Sequence, residues 1–355
     1  MNEIYITGTG NISPQKTFGQ DQFPEELINT ETLMLRTFDP NYKDHVSGDM
    51  VRRMSKIIKM GIAAGRICLQ DAGCAMPDAI ITGTGFGCIE DTEKFLSTMI
   101  RNNEELLTPT SFIQSTHNTV SAQIALLMKC HNYNFTYVHR GASFESALLD
   151  AQLRISEGLS DTVLLGGLDE LTSNSFRILQ RLGHWKRKPL ENLTLFNDSS
   201  RGTIAGEGAA FFLLSSAPGP KTYAKIAGLD IFTEPNDQPE AGTAISRFLE
   251  RNGMVIADVD LLLTGNNGDP TQDRIYNEVT AGHFPLTARA GFKHLCGEYM
   301  TASAFAVWLS SIILKNQLIP DVCLLNDRRP AEIRNILIWN HYRNINHSLI
   351  LLKKA

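Results

Sequence analysis

Four short apolar runs that each end in glycine constrain this chain more than any other feature. Ile4–Thr7 leads into Gly8-Thr9-Gly10, and Ala79–Thr82 into Gly83-Thr84-Gly85-Phe86-Gly87. Thr162–Leu165 leads into Gly166-Gly167, and Leu261–Thr264 into Gly265. Apolar runs of this length without polar alternation read as strands buried on both faces, and glycine at their ends suits a tight turn. Helical patterns lie between them. Ser55 predicts an N-cap for a helix running to about Asp71, with Ile57, Ile58, Ile62, Cys68 and Leu69 on one face and Gly73 closing it. Thr119–Met128, Ser143–Glu157 and Ala302–Leu314 read as further helices, and Asn134–Val138 as a strand buried by its apolar content. This alternation predicts an α/β chain with a mostly parallel, helix-covered sheet.

The second part of the sequence follows a similar plan. Ala209–Leu214 and Ser348–Leu352 read as strands that close each part, and Ser215-Ser216-Ala217-Pro218-Gly219-Pro220 as the link between them. The expectation is two related halves, residues 1–217 and 218–355, packed together. Stretches of low periodicity, roughly 13–50 and 170–200, are expected to be loops carried on the core. Of the 355 residues 43% are hydrophobic, enough for a large core, and the net charge of −5 argues against a nucleic-acid-binding protein. No apolar run is long enough to span a membrane, and the opening MNEIYITGTG has no basic stretch ahead of an apolar one. A cytoplasmic protein is expected. The six cysteines are scattered without a CxxC pair, so buried thiols are expected rather than zinc ligands or disulfides, and no metal or cofactor is anticipated.

Four segments carry a resemblance. Leu195–Ala209 contains Phe196-Asn197-Asp198, Arg201 and Gly206-Glu207-Gly208-Ala209. Asn134–Ala151 reads as strand, turn and helix, and continues into Gly158-Leu159-Ser160-Asp161-Thr162-Val163-Leu164-Leu165-Gly166-Gly167. Lys293-His294-Leu295-Cys296-Gly297-Glu298 and Ile4–Pro14 complete the set. In this order and at these separations the chain resembles the β-ketoacyl synthase family of the thiolase superfamily. The resemblance implies a five-layer αβαβα sandwich built from two duplicated halves. It also implies chemistry in which a cysteine at the elbow takes an acyl chain from a carrier-protein thioester and two histidines assist decarboxylation.

This chain departs from that pattern at all three reacting positions. Gly141 stands at the nucleophile, within His139-Arg140-Gly141-Ala142-Ser143. Gly265 stands at the first histidine, with Asn266 as the alternative one residue on, and Glu298 at the second, five residues after the retained Lys293. None supplies the sulfur or imidazole atoms that the reaction uses. Ser143 is expected to cap the helix, His139 to pack within a strand, and Glu298 to form a buried ion pair with Lys293. Cys88 and Cys296 are expected to be apolar fillers. Lys186-Arg187-Lys188 and Arg328-Arg329 read as solvated surface, or else as contacts for an acidic carrier protein.

The pattern resembles that of chain-length-factor subunits. The resemblance implies a non-catalytic partner that forms a heterodimer with an active ketosynthase and shapes its acyl tunnel in polyketide, aryl-polyene or fatty-acid-like biosynthesis. It also implies contact with an acyl carrier protein. Phe86, Ile89 and Glu93 are expected on one helical face, with Phe86, Ile89 and Tyr342 bordering the acyl chain. Two other readings stand beside it: an atypical acyltransferase or decarboxylase, and a homodimeric carrier-binding scaffold.

Overall fold

Adjacent residues in the buried strands point to opposite sides, and this sorts the protein into layers. The computed structural model describes residues 3–46, 48–233 and 238–355. Its main sheet has ten strands: β1 Ile4–Ile12, β2 Ala79–Gly83, β3 Tyr133–Tyr137, β4 Thr162–Asp169, β5 Gly208–Ser215, β6 Ala224–Thr233, β7 Leu261–Thr264, β8 Ala288–Gly291, β9 Asn335–Tyr342 and β10 Asn346–Lys353. From the middle outward the first half runs β1-β5-β4-β2-β3, and the second runs β6-β10-β9-β7-β8. The order is the same in both, as duplication requires. β1 and β6 join the two halves through three antiparallel pairs, Ile4 with Ile226, Tyr5 with Lys225 and Ile6 with Ala224.

Besides two short helices at Gly48–Val51 and Pro109–Gln114, the helices among the described residues are α1 Lys56–Ala72, α2 Ile89–Arg101, α3 Thr119–Met128, α4 Ser143–Ser156, α5 Ser173–Arg181, α6 Gln238–Arg251, α7 Pro270–His283, α8 Lys293–Cys296 and α9 Ala302–Asn316. Ile80 and Leu164 face α1 and α3 in one outer layer. Their neighbours Ile81 and Leu165 face inward and share a core with Phe144 and Leu148 of α4 and with Phe305, Trp308 and Leu309 of α9. Leu263, Ile338 and Ile350 enter that same core from the second half. Leu262, Leu337 and Trp339 point the other way, onto α6 and α7. The result is helix, sheet, helix, sheet, helix, the five-layer sandwich. In α9 every residue from Ala302 to Leu314 is buried, as expected of a helix enclosed between two sheets.

Several expectations need correction. Gly8 and Gly10 lie within β1, not in a turn after it. A Cβ on Gly8 would stand 2.5 Å from Ala72 Cβ, and one on Gly10 2.1 Å from the Ala64 carbonyl oxygen, so glycine there lets α1 lie against the strand. β3 is the outer edge of its half-sheet rather than a buried strand, leaving Phe135 46% and Val138 44% exposed. The stretch 170–200 contains α5, and the stretch 13–50 pairs two short strands, Glu31–Thr32 and Met34–Leu35, with Leu190–Glu191 and Ala205–Gly206.

Replacing Trp308 by alanine empties space at the centre of the shared core and is expected to cost about 3–5 kcal/mol in denaturant unfolding. Leu126→Ala on the exposed face of α3 is expected to stay within about 0.5 kcal/mol of the parent.

Candidate functional site

The chain leaves β3 at Tyr137, turns through Arg140 in the left-handed region (φ 49°), and enters α4 by a short 3-10 turn, Arg140–Ala142. Ser143 pins this turn from within. Its hydroxyl accepts from the His139 N–H at 2.7 Å and donates to the Arg140 carbonyl at 2.7 Å. It is the first residue of α4, and Ala142, not Ser143, occupies the cap position. His139 lies past the end of the strand and is exposed, so it is not packed as expected.

Tyr342, at the end of β9 in the other half, closes onto the elbow. A Cβ on Gly141 would stand 2.2 Å from Tyr342 Cβ and 2.8 Å from its Cγ. The volume in which a nucleophilic side chain would begin is therefore filled by the tyrosine. Burial lifts the Tyr342 phenol to about 12, so it is neutral and retains its proton at physiological pH.

The position expected to carry the first histidine is equally closed. A Cβ on Gly265 would meet Asn340 Oδ1 at 2.2 Å and the Tyr276 hydroxyl at 2.6 Å. Asn266 turns back, accepting from the Thr264 hydroxyl at 2.5 Å. The neighbouring Asn267, which sequence reasoning passed over, does enter the site: its Nδ2 donates to Glu298 Oε2 at 2.8 Å. Asp273 fixes its backbone by accepting from the N–H groups of Asn267 and Gly268, and burial raises that carboxyl to about 6. The signal was the run Asn266-Asn267-Gly268-Asp269-Pro270, in which Asp269 caps α7 ahead of a proline at its start.

Lys293 Nζ lies 2.7 Å from Glu298 Oε2, and both side chains are buried. The expected pair forms, with Asn267 as a third member on the same carboxylate oxygen. Glu298, Tyr342 and Phe86 meet in one narrow cleft, together with Ser175, Trp185 and Met300. Phe86 is 38% exposed there. It sits in the turn before α2 rather than on it, so the helical face of Phe86, Ile89 and Glu93 does not form. Glu93 accepts from the Thr172 hydroxyl and Asn174 Nδ2, at 2.6 and 3.1 Å. Ile89 opens α2 and is not part of the cleft lining.

Asp169 also went unnoticed in the sequence, although it ends an apolar run just after Gly166-Gly167. Its Oδ1 accepts from the Gly85 N–H (2.7 Å) and the Thr84 hydroxyl (3.1 Å). Its Oδ2 accepts from the N–H and hydroxyl of Thr301 at 3.0 and 2.9 Å. One buried carboxylate thus ties the turn bearing Phe86 to the start of α9, and desolvation raises its pKa. Glu207 of the Gly-Glu-Gly-Ala segment is a second buried hub, accepting from Lys56 Nζ, Arg36 Nη1 and the N–H groups of Thr37 and Leu171.

Burial pushes the thiols of Cys88 and Cys296 up, consistent with filler roles. Lys186 is not solvated surface. It is buried, and its Nζ donates to Asp198, Ser200 and the Gly268 carbonyl. Arg187, Lys188, Arg328 and Arg329 are exposed. Beside the site, His341 and His347 form a buried pair in contact with Tyr276 and Trp339. His341 Nδ1 accepts from the Asn344 N–H, so Nε2 carries the proton and donates to the Gln272 carbonyl. His347 Nδ1 accepts from Trp339 Nε1, leaving its Nε2 to donate to Asn344 Oδ1. Both rings are therefore held neutral, and desolvation lowers His347 to about 4.

The fold and the elbow, cleft and hairpin around Gly141 define a thiolase-like ketosynthase architecture. Residues 12–218, more than half of the chain, match the family described as beta-ketoacyl synthase, N-terminal domain. The chain belongs to the β-ketoacyl synthase family. It is 20% identical over 292 residues to 3-oxoacyl-[acyl-carrier-protein] synthase 2 of Vibrio cholerae serotype O1, covering 72% of this chain and 70% of that protein. Among solved structures it is similar to the ishigamide ketosynthase/chain length factor, with a TM-score of 0.79, 18% identity, and coverage of 100% of this chain and 99% of the other. A ketosynthase in complex with its chain length factor from Xenorhabdus doucetiae gives a TM-score of 0.78 at 18% identity, covering 100% and 98%. A β-ketoacyl synthase from Burkholderia phymatum gives 0.78 at 18%, covering 99% and 100%.

Two outcomes follow from this geometry. Gly141→Ala is expected to destabilise the protein by about 1–3 kcal/mol through overpacking, and Tyr342→Gly in the same chain to recover much of that loss. Additive effects in this double-mutant cycle would show that Tyr342 does not fill the nucleophile's space. For the histidine pair, the folded pKa of His347 lies below the ordinary 6.5, so its contribution to stability is present above 6.5 and is lost as pH falls towards about 4. Nitrogen NMR is expected to find both rings as neutral Nε2–H tautomers at about pH 5.5.

Proposed function

We propose that this chain is a ketosynthase-like subunit without condensing chemistry of its own, of the chain-length-factor type. It pairs with an active β-ketoacyl synthase and shapes that partner's acyl tunnel in polyketide, aryl-polyene or fatty-acid-like biosynthesis. The observation that carries this reading is the contact between Gly141 and Tyr342, since the site lacks a nucleophile and also the room for one. The other reacting positions support it. No base can stand at Gly265, and Glu298 Oε2 is engaged by Lys293 and Asn267.

The two halves in this proposal are residues 1–217 and 218–355. The partner synthase covers the open edge at β3, where Phe135 of the strand, Val138 just past its end, and Leu149 and Leu153 of α4 are exposed. An acyl carrier protein delivers the chain to the pair. Of the residues expected at the acyl chain, Phe86 and Tyr342 border the cleft and are retained in the proposal, while Ile89 is left out of it and contributes only a backbone N–H to the Gly87 carbonyl at 2.9 Å.

The test is co-expression with a candidate synthase, followed by incubation with malonyl- and acyl-carrier protein. A stable complex is expected, with acyl adducts only on the synthase by intact-protein mass spectrometry. A covalent acyl adduct on this chain, or a condensation product made by this chain alone, would falsify the proposal. In the complex, Phe86→Ala is expected to lengthen the products at similar turnover. Unchanged lengths in a stable complex would show that Phe86 does not border the acyl chain.

A further inference from the structure

Asn267, Lys293 and Glu298 are all buried, and the proposed pairing with a synthase makes no use of what they could do to one another. Their contact is more specific than that of two neutralised charges. Lys293 Nζ and Asn267 Nδ2 both reach a single atom, Glu298 Oε2, at 2.7 and 2.8 Å. An amine and a primary amide thus share one carboxylate oxygen in a site enclosed from solvent. A lysine amine is a nucleophile towards a carbonyl carbon, and a carboxylate in contact with both nitrogens is placed to carry protons from one to the other. Lys293 Nζ also donates to the His341 carbonyl at 3.4 Å, which holds it between the carboxylate and β9.

The amide is held on every polar atom. Asn267 Oδ1 accepts from the Asp269 N–H at 3.0 Å, a donor aimed at the oxygen on which negative charge would develop during attack on Cγ. Nδ2 donates to Gln272 Oε1 at 3.2 Å as well as to Glu298, so the plane of the amide is fixed. Asp273 fixes the backbone through the N–H groups of Asn267 and Gly268, at 2.8 and 2.9 Å. The second of these bonds bears on a competing reaction. In an Asn-Gly step the glycine nitrogen ordinarily attacks the asparagine side chain and forms a succinimide. Here the Gly268 N–H is committed to Asp273, which leaves Lys293 as the nucleophile already in place.

We propose that Lys293 and Asn267 join autocatalytically in an intramolecular isopeptide bond, with Glu298 as the acid and base. A proton passes from the Lys293 ammonium to Glu298 Oε2 and leaves a free amine. The amine lone pair attacks Asn267 Cγ, and the carbonyl π electrons move onto Oδ1, beside the Asp269 N–H. Nζ then loses a second proton and Nδ2 gains one, with Glu298 passing it between them. The Cγ–Nδ2 bond breaks, the electrons on Oδ1 return, ammonia leaves and the Nζ–Cγ amide remains. Glu298 keeps the remaining proton or gives it to the departing ammonia. The reaction needs no oxidant, reductant or co-reactant, and holding the groups together in advance supplies its main advantage. The bond fastens the loop ahead of α7 to the start of α8. It does not depend on the reading of the chain as a partner of a synthase.

The experiment weighs the full chain by intact-protein mass spectrometry, after purification, incubation at neutral pH and denaturation. The chain is expected to be lighter than its sequence by one ammonia. Trypsin is expected to leave Lys293 uncut and to release peptide 252–274 joined through that side chain to peptide 290–315. Glu298→Gln, which keeps the shape but cannot shuttle the proton, and Lys293→Arg, which keeps the charge but not the amine, are both expected to retain the full sequence mass. Asn267→Asp is expected to lose water in place of ammonia. A wild-type chain at its full sequence mass overturns the proposal, and this measurement requires no variant to fold. Loss of ammonia with normal cleavage after Lys293 and hydroxylamine-sensitive cleavage between Asn267 and Gly268 also overturns it, because the product is then the succinimide. Loss of ammonia that persists in Lys293→Arg overturns it in the same way.

Discussion

Enclosure of α9 by two half-sheets is the constraint on which the rest of the molecule depends. A helix buried on every side can satisfy its backbone only internally and must find apolar partners in all directions. The two halves supply them, since Ile81 and Leu165 approach from one side and Leu263 and Ile338 from the other. Neither half has a complete core without this shared layer. Asp169 fixes the start of the helix by accepting both hydrogen bonds offered by Thr301. The same carboxylate holds the Thr84–Phe86 turn, so packing at the centre determines where the cleft opens.

The positions expected to carry reacting groups are closed in a coordinated way. Tyr342 occupies the space beside Gly141, and Asn340, two residues earlier on β9, occupies the space beside Gly265. One strand of the second half thus closes two positions. Lys293 and Glu298 remain as a buried pair, stabilised by Asn267. Removing one member of such a pair leaves a charge stranded, whereas replacing both with apolar groups is often tolerated. On the proposed reading, the arrangement is that of a scaffold kept intact without condensing chemistry.

Much of this was legible in the sequence because the strands are apolar and their glycines are forced. The runs at 79–82, 162–165 and 261–264 are strands at those places, and the helices at 56, 119, 143 and 302 begin within a residue or two of the expected positions. What escaped notice had mixed composition. β9 carries Asn340 and His341, which are polar but buried, and β6 has half-exposed residues around Gly228 and Asp230. The burial of Lys186 was invisible because its four acceptors lie 12 to 82 residues away along the chain. Gly141, Gly265 and Glu298 were read as departures from the family pattern, but the tyrosine and asparagine that pack against the two glycines come from another strand, and only the fold brings them there.

The open edge at β3 has a consequence for the protein's life before assembly. Tyr133, Phe135, Thr136 and Tyr137 are residue types that favour extended pairing, and among the described residues no strand lies beyond them. An uncovered edge of this composition is a template for stray strand addition. If the proposed pairing holds, chain made in excess of the synthase that covers this edge would be an aggregation-prone orphan. Balanced synthesis of the two would then serve proteostasis as well as the proposed reaction.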